Sequence, residues 1–155
     1  MEQTQPSLPL LAPYLTVGDA KGAIEFYTRA FGAREMSRQD MPGSDKLMHA
    51  ALLINGALVM LSDDFPEMSG GKSTTPKALG GTAVTLHLTL PDVDTAWNQA
   101  VAAGAQVVMP LADMFWGDRY GVLEDPYGHR WSLATPKQNL SPDQIQKAAE
   151  QAMKA

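Results

Sequence analysis

Three histidines, His49, His87 and His129, are the side chains of this 155-residue sequence that are best suited to transfer protons or to bind a metal ion. The sequence contains no cysteine, which excludes thiolate zinc sites, cysteine nucleophiles and disulfide bonds. A metal site would therefore have to combine imidazoles with carboxylates. The chemistry open to this chain depends on where its three histidines lie.

His87 lies in a segment of alternating polarity that is typical of a β-strand. The even positions from 84 to 90 are apolar, whereas Thr85, His87 and Thr89 alternate with them. The apolar row is suited to pack under a helix, so the polar row is predicted to face a cavity. There His87 could act as a general base, donate a hydrogen bond to a ligand, or be satisfied by a neighbouring hydroxyl.

The other two histidines carry weaker indications of function. His49 is out of phase with Met48 and Ala50 on its predicted strand, and the sequence leaves open whether its face meets a cavity. A structural role is favoured for His49. His129 is in phase with Trp131 in a segment predicted to pack under a helix, so a structural role is predicted for it as well.

An aromatic segment at positions 115–120 offers a second kind of chemistry. It reads Phe-Trp-Gly-Asp-Arg-Tyr. In one interpretation the rings fill the gap between a sheet and a loop. In the other they line the mouth of a cavity, where a flat ligand stacks on Trp116 and an anion pairs with Arg119. The sequence supports both interpretations equally.

An internal repeat indicates which elements position these residues. Asp19 and Asp92 each precede a predicted helix and lie 73 residues apart. Gly32 and Gly104, which end those helices, lie 72 residues apart, and a hairpin turn repeats at the same distance. Two copies of so long a period indicate a duplicated half-domain rather than a solenoid.

Each half is predicted to form a strand, a helix and three further strands. The two modules cover residues 10–63 and 82–136, which together form one domain, and residues 64–81 form a crossover loop rich in Gly, Ser, Thr and Pro. Residues 137–155 contain an amphipathic helix that begins at Ser141-Pro142. This helix is expected to dock on the domain or on a partner subunit.

The charge and hydropathy of the sequence exclude several classes of partner. Its net charge is −5 and it has no block of Lys and Arg, so nucleic-acid binding is not expected. No basic start followed by an apolar run begins the chain, and no apolar stretch approaches the roughly 20 residues that span a bilayer. A cytoplasmic protein that does not bind membranes is expected.

Four motifs follow the order of the repeat: Val17-Gly18-Asp19, the aromatic segment 26–33, Ala102-Ala103-Gly104-Ala105 and Asp125-Pro126-Tyr127-Gly128-His129. Together they resemble the vicinal oxygen chelate superfamily, which includes glyoxalase I, the bleomycin- and fosfomycin-resistance proteins and the extradiol dioxygenases. Segment 115–120 resembles more narrowly its PhnB-like branch. The resemblance implies an α+β fold of two tandem βαβββ modules, with curved mixed sheets around a cavity, helices outside and a homodimer.

The resemblance also implies where a metal ion would bind. In metal-dependent members, the first and last strands of each module provide one ligand each, and the corresponding residues here are Ala12, Met60, Thr85 and Ser132. None of these is a histidine or a carboxylate, so no metal and no other cofactor is predicted. A register shifted by two residues would bring His87 to the ligand level beside Tyr14, still without a three-ligand site.

These observations favour a metal-independent protein of the glyoxalase and bleomycin-resistance type that binds a small, flat or aromatic ligand. The predicted pocket residues are Tyr14, His49, Met60, Thr85, His87, Phe115, Trp116, Arg119, Tyr120 and Ser132. The alternative is an enzyme, a glyoxalase-like isomerase or lyase or a transferase. Such an enzyme would use His87 as its catalytic base, or a displaced metal site built from His49, His87 and Glu124.

Overall fold

The structure, a computed structural model, describes residues 9–154 and consists of two modules followed by a helix. Residue 155, the last of the predicted C-terminal segment, lies outside the described residues. The first module comprises β1 (Tyr14–Val17), α1 (Ala20–Phe31), β2 (Arg34–Asp40), β3 (Leu47–Ile54) and β4 (Ala57–Asp63). A crossover with the short helix α2 (Pro76–Leu79) follows. The second module comprises β5 (Thr85–Thr89), α3 (Val93–Ala103), β6 (Gln106–Asp113), β7 (Asp118–Glu124) and β8 (Arg130–Pro136), and α4 (Pro142–Ala152) follows it.

Each module forms one mixed sheet of four strands, in the order β1-β4-β3-β2 and β5-β8-β7-β6. The first and last strands of a module are parallel, and the other pairs are antiparallel. The predicted α+β fold of tandem βαβββ modules is therefore confirmed. The register pairs Tyr14 with Met60 in the first module and His87 with Ser132 in the second.

Matching contacts hold the start of the helix in each module. The side chains of Asp19 and Asp92 cap α1 and α3, as the sequence predicts. The end of the last strand also reaches the helix. The carboxylate of Asp63 accepts a hydrogen bond from the first amide of α1 at 3.0 Å, and the hydroxyl of Thr135 accepts one from the first amide of α3 at 2.8 Å. Each helix is thereby fixed to the sheet that it covers.

One apolar core extends through both modules, and α1 and α3 contact each other. Phe26 and Tyr27 from α1 and Trp131 from β8 are among its fully buried side chains. The rings of Tyr27 and Trp131 lie 5.4 Å apart, so an aromatic contact joins the helix of the first module to the sheet of the second. The two modules thus share the apolar burial that stabilises them.

Asp125, in the turn between β7 and β8, adds a polar joint between the modules. Its buried carboxylate accepts hydrogen bonds from the Tyr27 hydroxyl at 2.6 Å, from the Trp131 indole at 2.9 Å and from two backbone amides of its own turn. Burial, and then the Asp125 charge, raise the pKa of Tyr27 well above its ordinary value. His129 contacts the first module too, with Nε2 2.9 Å from the carbonyl oxygen of Thr16.

The segments outside the modules differ in how they pack. The crossover contains a 3₁₀ turn at Pro66–Met68 as well as α2, and Pro76 is buried against Gly128 of the second module. By contrast, α4 begins with a capping box at Ser141 and has no buried residue. Within residues 9–154, no helix has the length and apolar character that crossing a membrane would require.

Candidate functional site

Each sheet has one face that packs under the helices and one face that is accessible. On β5, Leu88 is buried and His87 is exposed, and on β1, Leu15 is buried and Tyr14 is 51% exposed. We call the accessible side of each sheet its open face. It carries the residues in phase with Tyr14 in the first module and with His87 in the second.

His87 and Ser132 form the polar centre of the second open face. They lie opposite each other on the parallel strands β5 and β8, and Nδ1 of His87 lies 2.7 Å from Oγ of Ser132. Ser132 is 3% exposed. Nε2 of His87 makes no hydrogen bond to any residue between 9 and 154. Nδ1 of the imidazole therefore contacts the buried hydroxyl of Ser132, and Nε2 is left for the solvent.

Three further aromatic rings continue from His87 towards the turn between β6 and β7. Tyr120 stacks on His87 with ring centroids 6.1 Å apart, Trp116 meets Tyr120 edge-on at 5.3 Å, and Phe115 meets Trp116 edge-on at 5.0 Å. The indole of Trp116 donates a hydrogen bond to Asp118 at 3.1 Å, which fixes its orientation. We call His87, Tyr120, Trp116 and Phe115 the aromatic row.

Tyr14 and His49 form a pair on the first open face. The Tyr14 hydroxyl lies 2.8 Å from Nδ1 of His49, and the two ring centroids are 5.5 Å apart. These residues stand on β1 and β3, which are separated by β4, and Met60 of β4 lies opposite Tyr14. The pair therefore meets across the strand that carries Met60. The sequence predicts all three residues for the pocket but not the contact between Tyr14 and His49.

The two modules place tyrosine and histidine at equivalent positions in exchanged order. Tyr14 and His87 correspond, because each is the residue of a first strand that pairs with the matched position of the last strand. His49 and Tyr120 correspond, because each lies two residues before the position that pairs with that same residue of the last strand. The duplicated scaffold thus carries one aromatic and imidazole pair on each open face.

Two predicted pocket residues, Thr85 and Arg119, lie apart from these clusters. Thr85 is on the second open face, but it pairs with Arg130 and lies two residues before His87. Arg119 donates two hydrogen bonds of 2.9 Å to Asp94 at the start of α3 and contacts Asp113 at 3.3 Å. Hydrogen bonding from Arg119 lowers the pKa of the Asp94 carboxyl. Two carboxylates thus already neutralise the cation that one of the two interpretations of segment 115–120 paired with an anionic ligand.

The residues where the first and last strands pair do not fit a divalent metal ion. They are Tyr14, Met60, His87 and Ser132, which provide a phenol, a thioether, an imidazole and a hydroxyl but no carboxylate. Between residues 9 and 154, no three His, Asp or Glu side chains lie close enough together to hold a metal ion, and this includes the set His49, His87 and Glu124. The displaced metal site considered from the sequence does not form within the described chain.

The candidate residues line separate openings in a single chain. Tyr14 lines a cavity of about 260 Å³ between β1 and β5, which also contains Leu15, Leu86 and Arg130. His87 lines a smaller cavity of about 100 Å³, and Trp116 borders a groove of about 450 Å³ beside residues 136–140. In a single chain, these three cavities are separate, and none of them is lined by candidate residues of both open faces.

The chain is similar to proteins that share this architecture. The family model of the Glyoxalase/Bleomycin resistance protein/Dioxygenase superfamily matches residues 8–133. The protein Mb0911c of Mycobacterium bovis is 57% identical over 141 residues, which cover 90% of this chain and 91% of that protein. The crystal structure of TioX from Micromonospora sp. ML1 is 30% identical, with a TM-score of 0.63 over 83% of this chain and 99% of that chain. A PhnB protein from Bacillus cereus, 24% identical, has the same fold, with a TM-score of 0.62 over 82% of this chain and 99% of that chain.

Proposed function

The chain belongs to the Glyoxalase/Bleomycin resistance protein/Dioxygenase superfamily, as its motifs predict, and we propose that it binds a flat aromatic small molecule without a metal ion. Proteins of one fold can have unrelated activities, so membership alone does not identify a function. The proposal therefore rests on the side chains of the two open faces.

The aromatic row is the observation that carries this proposal. It extends from the second open face to the turn between β6 and β7 as four rings in successive contact, and each of its members is at least partly exposed. Exposed rings held in fixed orientations offer flat apolar surfaces for stacking, while His87 offers a polar contact at one end. A planar aromatic ligand matches both properties.

The chemistry of the paired strand positions supports a mechanism without metal. A thioether and two hydroxyls stand where hard divalent cations would need carboxylate or imidazole ligands. Nδ1 of the imidazole at these positions is already occupied by Ser132. Binding would therefore depend on stacking and on hydrogen bonds, and the ligand would be sequestered rather than activated by a cation.

We expect a second copy of the chain to enclose the ligand. Large apolar side chains are accessible on both open faces, including Tyr14 at 51% and Met109 at 44% exposure. Surfaces of this kind favour association, because burying them removes apolar area from water. If the first open face of one copy covers the second open face of another, both tyrosine and histidine pairs would line one pocket. Sedimentation should show that the wild type is a dimer and that Met109→Glu, which places a charge on this surface, dimerises less. A monomeric wild type would contradict the expectation.

The central experiment measures binding of planar aromatic compounds by calorimetry. Removing the largest ring of the row with Trp116→Leu should weaken binding about tenfold or more, since stacking contacts of this kind contribute about 1 kcal/mol or more. Phe65→Leu is the matched control, because Phe65 is a partly exposed ring on the crossover, where it packs against Lys46. Equal affinity for Trp116→Leu and the wild type would contradict the proposal.

Metal dependence is tested separately on protein purified without chelator. We expect no stoichiometric divalent metal, and we expect the affinity for the aromatic probe to be unchanged by a chelator. Stoichiometric zinc, nickel or manganese, lost together with binding when chelator is added, would contradict the metal-free part of the proposal while leaving the aromatic ligand in place.

A further inference from the structure

The hydroxyl of Ser132 has one hydrogen-bond partner within residues 9–154, which is Nδ1 of His87 at 2.7 Å. Ser132 is 3% exposed, and no buried side-chain polar atom among the described residues is left without a partner. Solvent is therefore a poor alternative partner for this hydroxyl. The proton between Oγ and Nδ1 can lie on either atom, and the two arrangements have different consequences.

Suppose first that Nδ1 carries the proton and donates it to Ser132. The serine hydroxyl then accepts, and its own proton is left in a buried place with no acceptor. A buried donor without a partner is costly. Suppose instead that Ser132 donates its proton to an unprotonated Nδ1. The buried hydroxyl and Nδ1 are then both satisfied by one hydrogen bond, so the second arrangement is favoured.

A neutral imidazole carries one proton, so an unprotonated Nδ1 requires the proton to be on Nε2. Nε2 is the nitrogen at the accessible end of the ring and makes no hydrogen bond within residues 9–154. We propose that Ser132 fixes His87 as an Nε2–H donor, and that the ligand of the second open face is an aromatic compound with a carbonyl, carboxylate or phenolate oxygen. This inference rests on the proposed function and names its ligand class.

The same arrangement argues against the enzyme alternative. A general base needs a free lone pair aimed at the substrate proton, and the Nε2–H form has none at its accessible nitrogen. Ser132 thus acts as a positioning residue, because its contact with Nδ1 decides which nitrogen of His87 faces the ligand. The carbonyl-type oxygen of the ligand would complete the hydrogen bond that His87 offers.

The first module provides an internal comparison. Tyr14 also lies within hydrogen-bond distance of a histidine Nδ1, but Tyr14 is 51% exposed and its hydroxyl can use water in either direction. The preference for the Nε2–H form should therefore be weaker at His49 than at His87. His49 and His87 can be measured side by side in one sample.

Nitrogen NMR of protein labelled with ¹⁵N-histidine, at a pH at which the rings are neutral, tests the proton assignment directly. We expect the protonated nitrogen of His87 to be Nε2 and this preference to fall in Ser132→Ala, while the signals of His49 stay unchanged. Ser132→Thr keeps a hydroxyl and should keep the preference. A wild-type His87 protonated mainly at Nδ1 would overturn the inference.

Three probes of one shape test the ligand class: naphthalene-2-carboxylate, 2-acetylnaphthalene and 2-ethylnaphthalene. The first two should bind about tenfold more tightly than the third, because they accept a hydrogen bond that the ethyl compound cannot. His87→Gln retains a side-chain N–H donor and should keep most of this difference, whereas His87→Leu should abolish it.

The outcomes separate the two proposals. Equal binding of all three probes, weakened by Trp116→Leu, would overturn the hydrogen-bond inference and leave the aromatic site intact. Binding of none of the three would overturn the proposed function together with the ligand class. A difference that disappears in His87→Gln as well as in His87→Leu would also overturn the hydrogen-bond inference, because the ligand would then need the imidazole and not its N–H donor.

Discussion

The two modules hold their imidazoles by different groups. In the first, the hydroxyl of Tyr14 itself contacts Nδ1 of His49. In the second, Ser132 takes over that contact with His87, and Tyr120 stacks on the imidazole instead. Ser132 stands at the position of Met60, which cannot make such a bond. The hydroxyl of the last strand therefore leaves the tyrosine of the second module free to join the aromatic row.

The modules also differ in the polar groups at two other equivalent places, the turn before the last strand and the contact at the start of the helix. The turn before the last strand is a tight Asn55-Gly56 turn in the first module, with Asn55 at a φ of 51°, but it contains the buried carboxylate of Asp125 in the second. The residue that holds the start of the helix is a carboxylate, Asp63, in the first module and a hydroxyl, Thr135, in the second. Equivalent positions of the two modules thus carry hydrogen-bond acceptors of unequal strength, a charged carboxylate in one and a neutral hydroxyl in the other.

The largest expected effect comes from Asp125→Ala. Four donors would lose a buried acceptor, so the free energy of unfolding should fall by about 3 kcal/mol or more. Asn55→Ala, in the corresponding turn, should cost about 1 kcal/mol, since it loses one exposed hydrogen bond and places alanine at a positive φ. Urea unfolding of both variants measures the difference, and equal losses would contradict it.

The next effect compares Asp63→Ala with Thr135→Ala. Asp63 is buried and accepts hydrogen bonds from the amides of Ala20 and Leu47, so its loss should cost about 2 to 3 kcal/mol. Thr135 is partly buried, and its hydroxyl accepts one such bond and donates another to the carbonyl oxygen of Leu90, so its loss should cost about 1 to 2 kcal/mol. Thermal unfolding of the two variants and of Asp63→Asn, which keeps one acceptor oxygen, gives the ranking. A larger loss for Thr135→Ala would reverse this comparison.

A smaller effect appears at alkaline pH. The pKa of Tyr27 is raised in the folded state, so the folded chain keeps a proton that the unfolded chain releases. The free energy of unfolding should therefore be unaffected by Tyr27 below about pH 10 and should fall as the pH rises above that value. Tyr27→Phe should remove most of this slope. Tyr127→Phe should remove less of it, because the pKa of Tyr127 is raised mainly by a partial burial. A slope unchanged in Tyr27→Phe would contradict the assignment.

The smallest effect distinguishes the two imidazole contacts. Tyr14→Phe removes a hydroxyl from an exposed pair and should change the free energy of unfolding by about 0.5 kcal/mol or less. Ser132→Ala removes a buried partner of His87 and should cost about 1 kcal/mol. Chemical unfolding of both variants under identical conditions measures the difference. Equal costs would show that burial does not separate the two pairs.

The sequence was sufficient for elements that depend on local signals. Asp19 and Gly32 bracket α1, which runs from Ala20 to Phe31 between the predicted cap and the predicted stop. The extent of strand β6 depends on more than local signals: it continues through Pro110 to Asp113, because register shifts on either side of Met109 let an edge strand accommodate the proline.

The candidate site was predictable in part, because the face of a residue follows from strand alternation while its neighbours follow from strand order. Alternation placed Thr85, His87 and Thr89 on one face. It could not bring Tyr14 to His49, since β4 lies between their strands and comes after both in the chain. Nor could it direct Arg119 towards Asp94, a contact made across 25 residues of chain.

The joint at Asp125 has a consequence for how the repeat unfolds. A half-chain ending at residue 63 would have every element of a βαβββ module, yet its Tyr27 would lack both its acceptor and the indole that covers it. We therefore expect neither half to be a separate cooperative unit. Calorimetry should record a single heat-absorption peak with matching calorimetric and van 't Hoff enthalpies. The duplication persists in the geometry of the chain, while we expect its unfolding to be that of one domain.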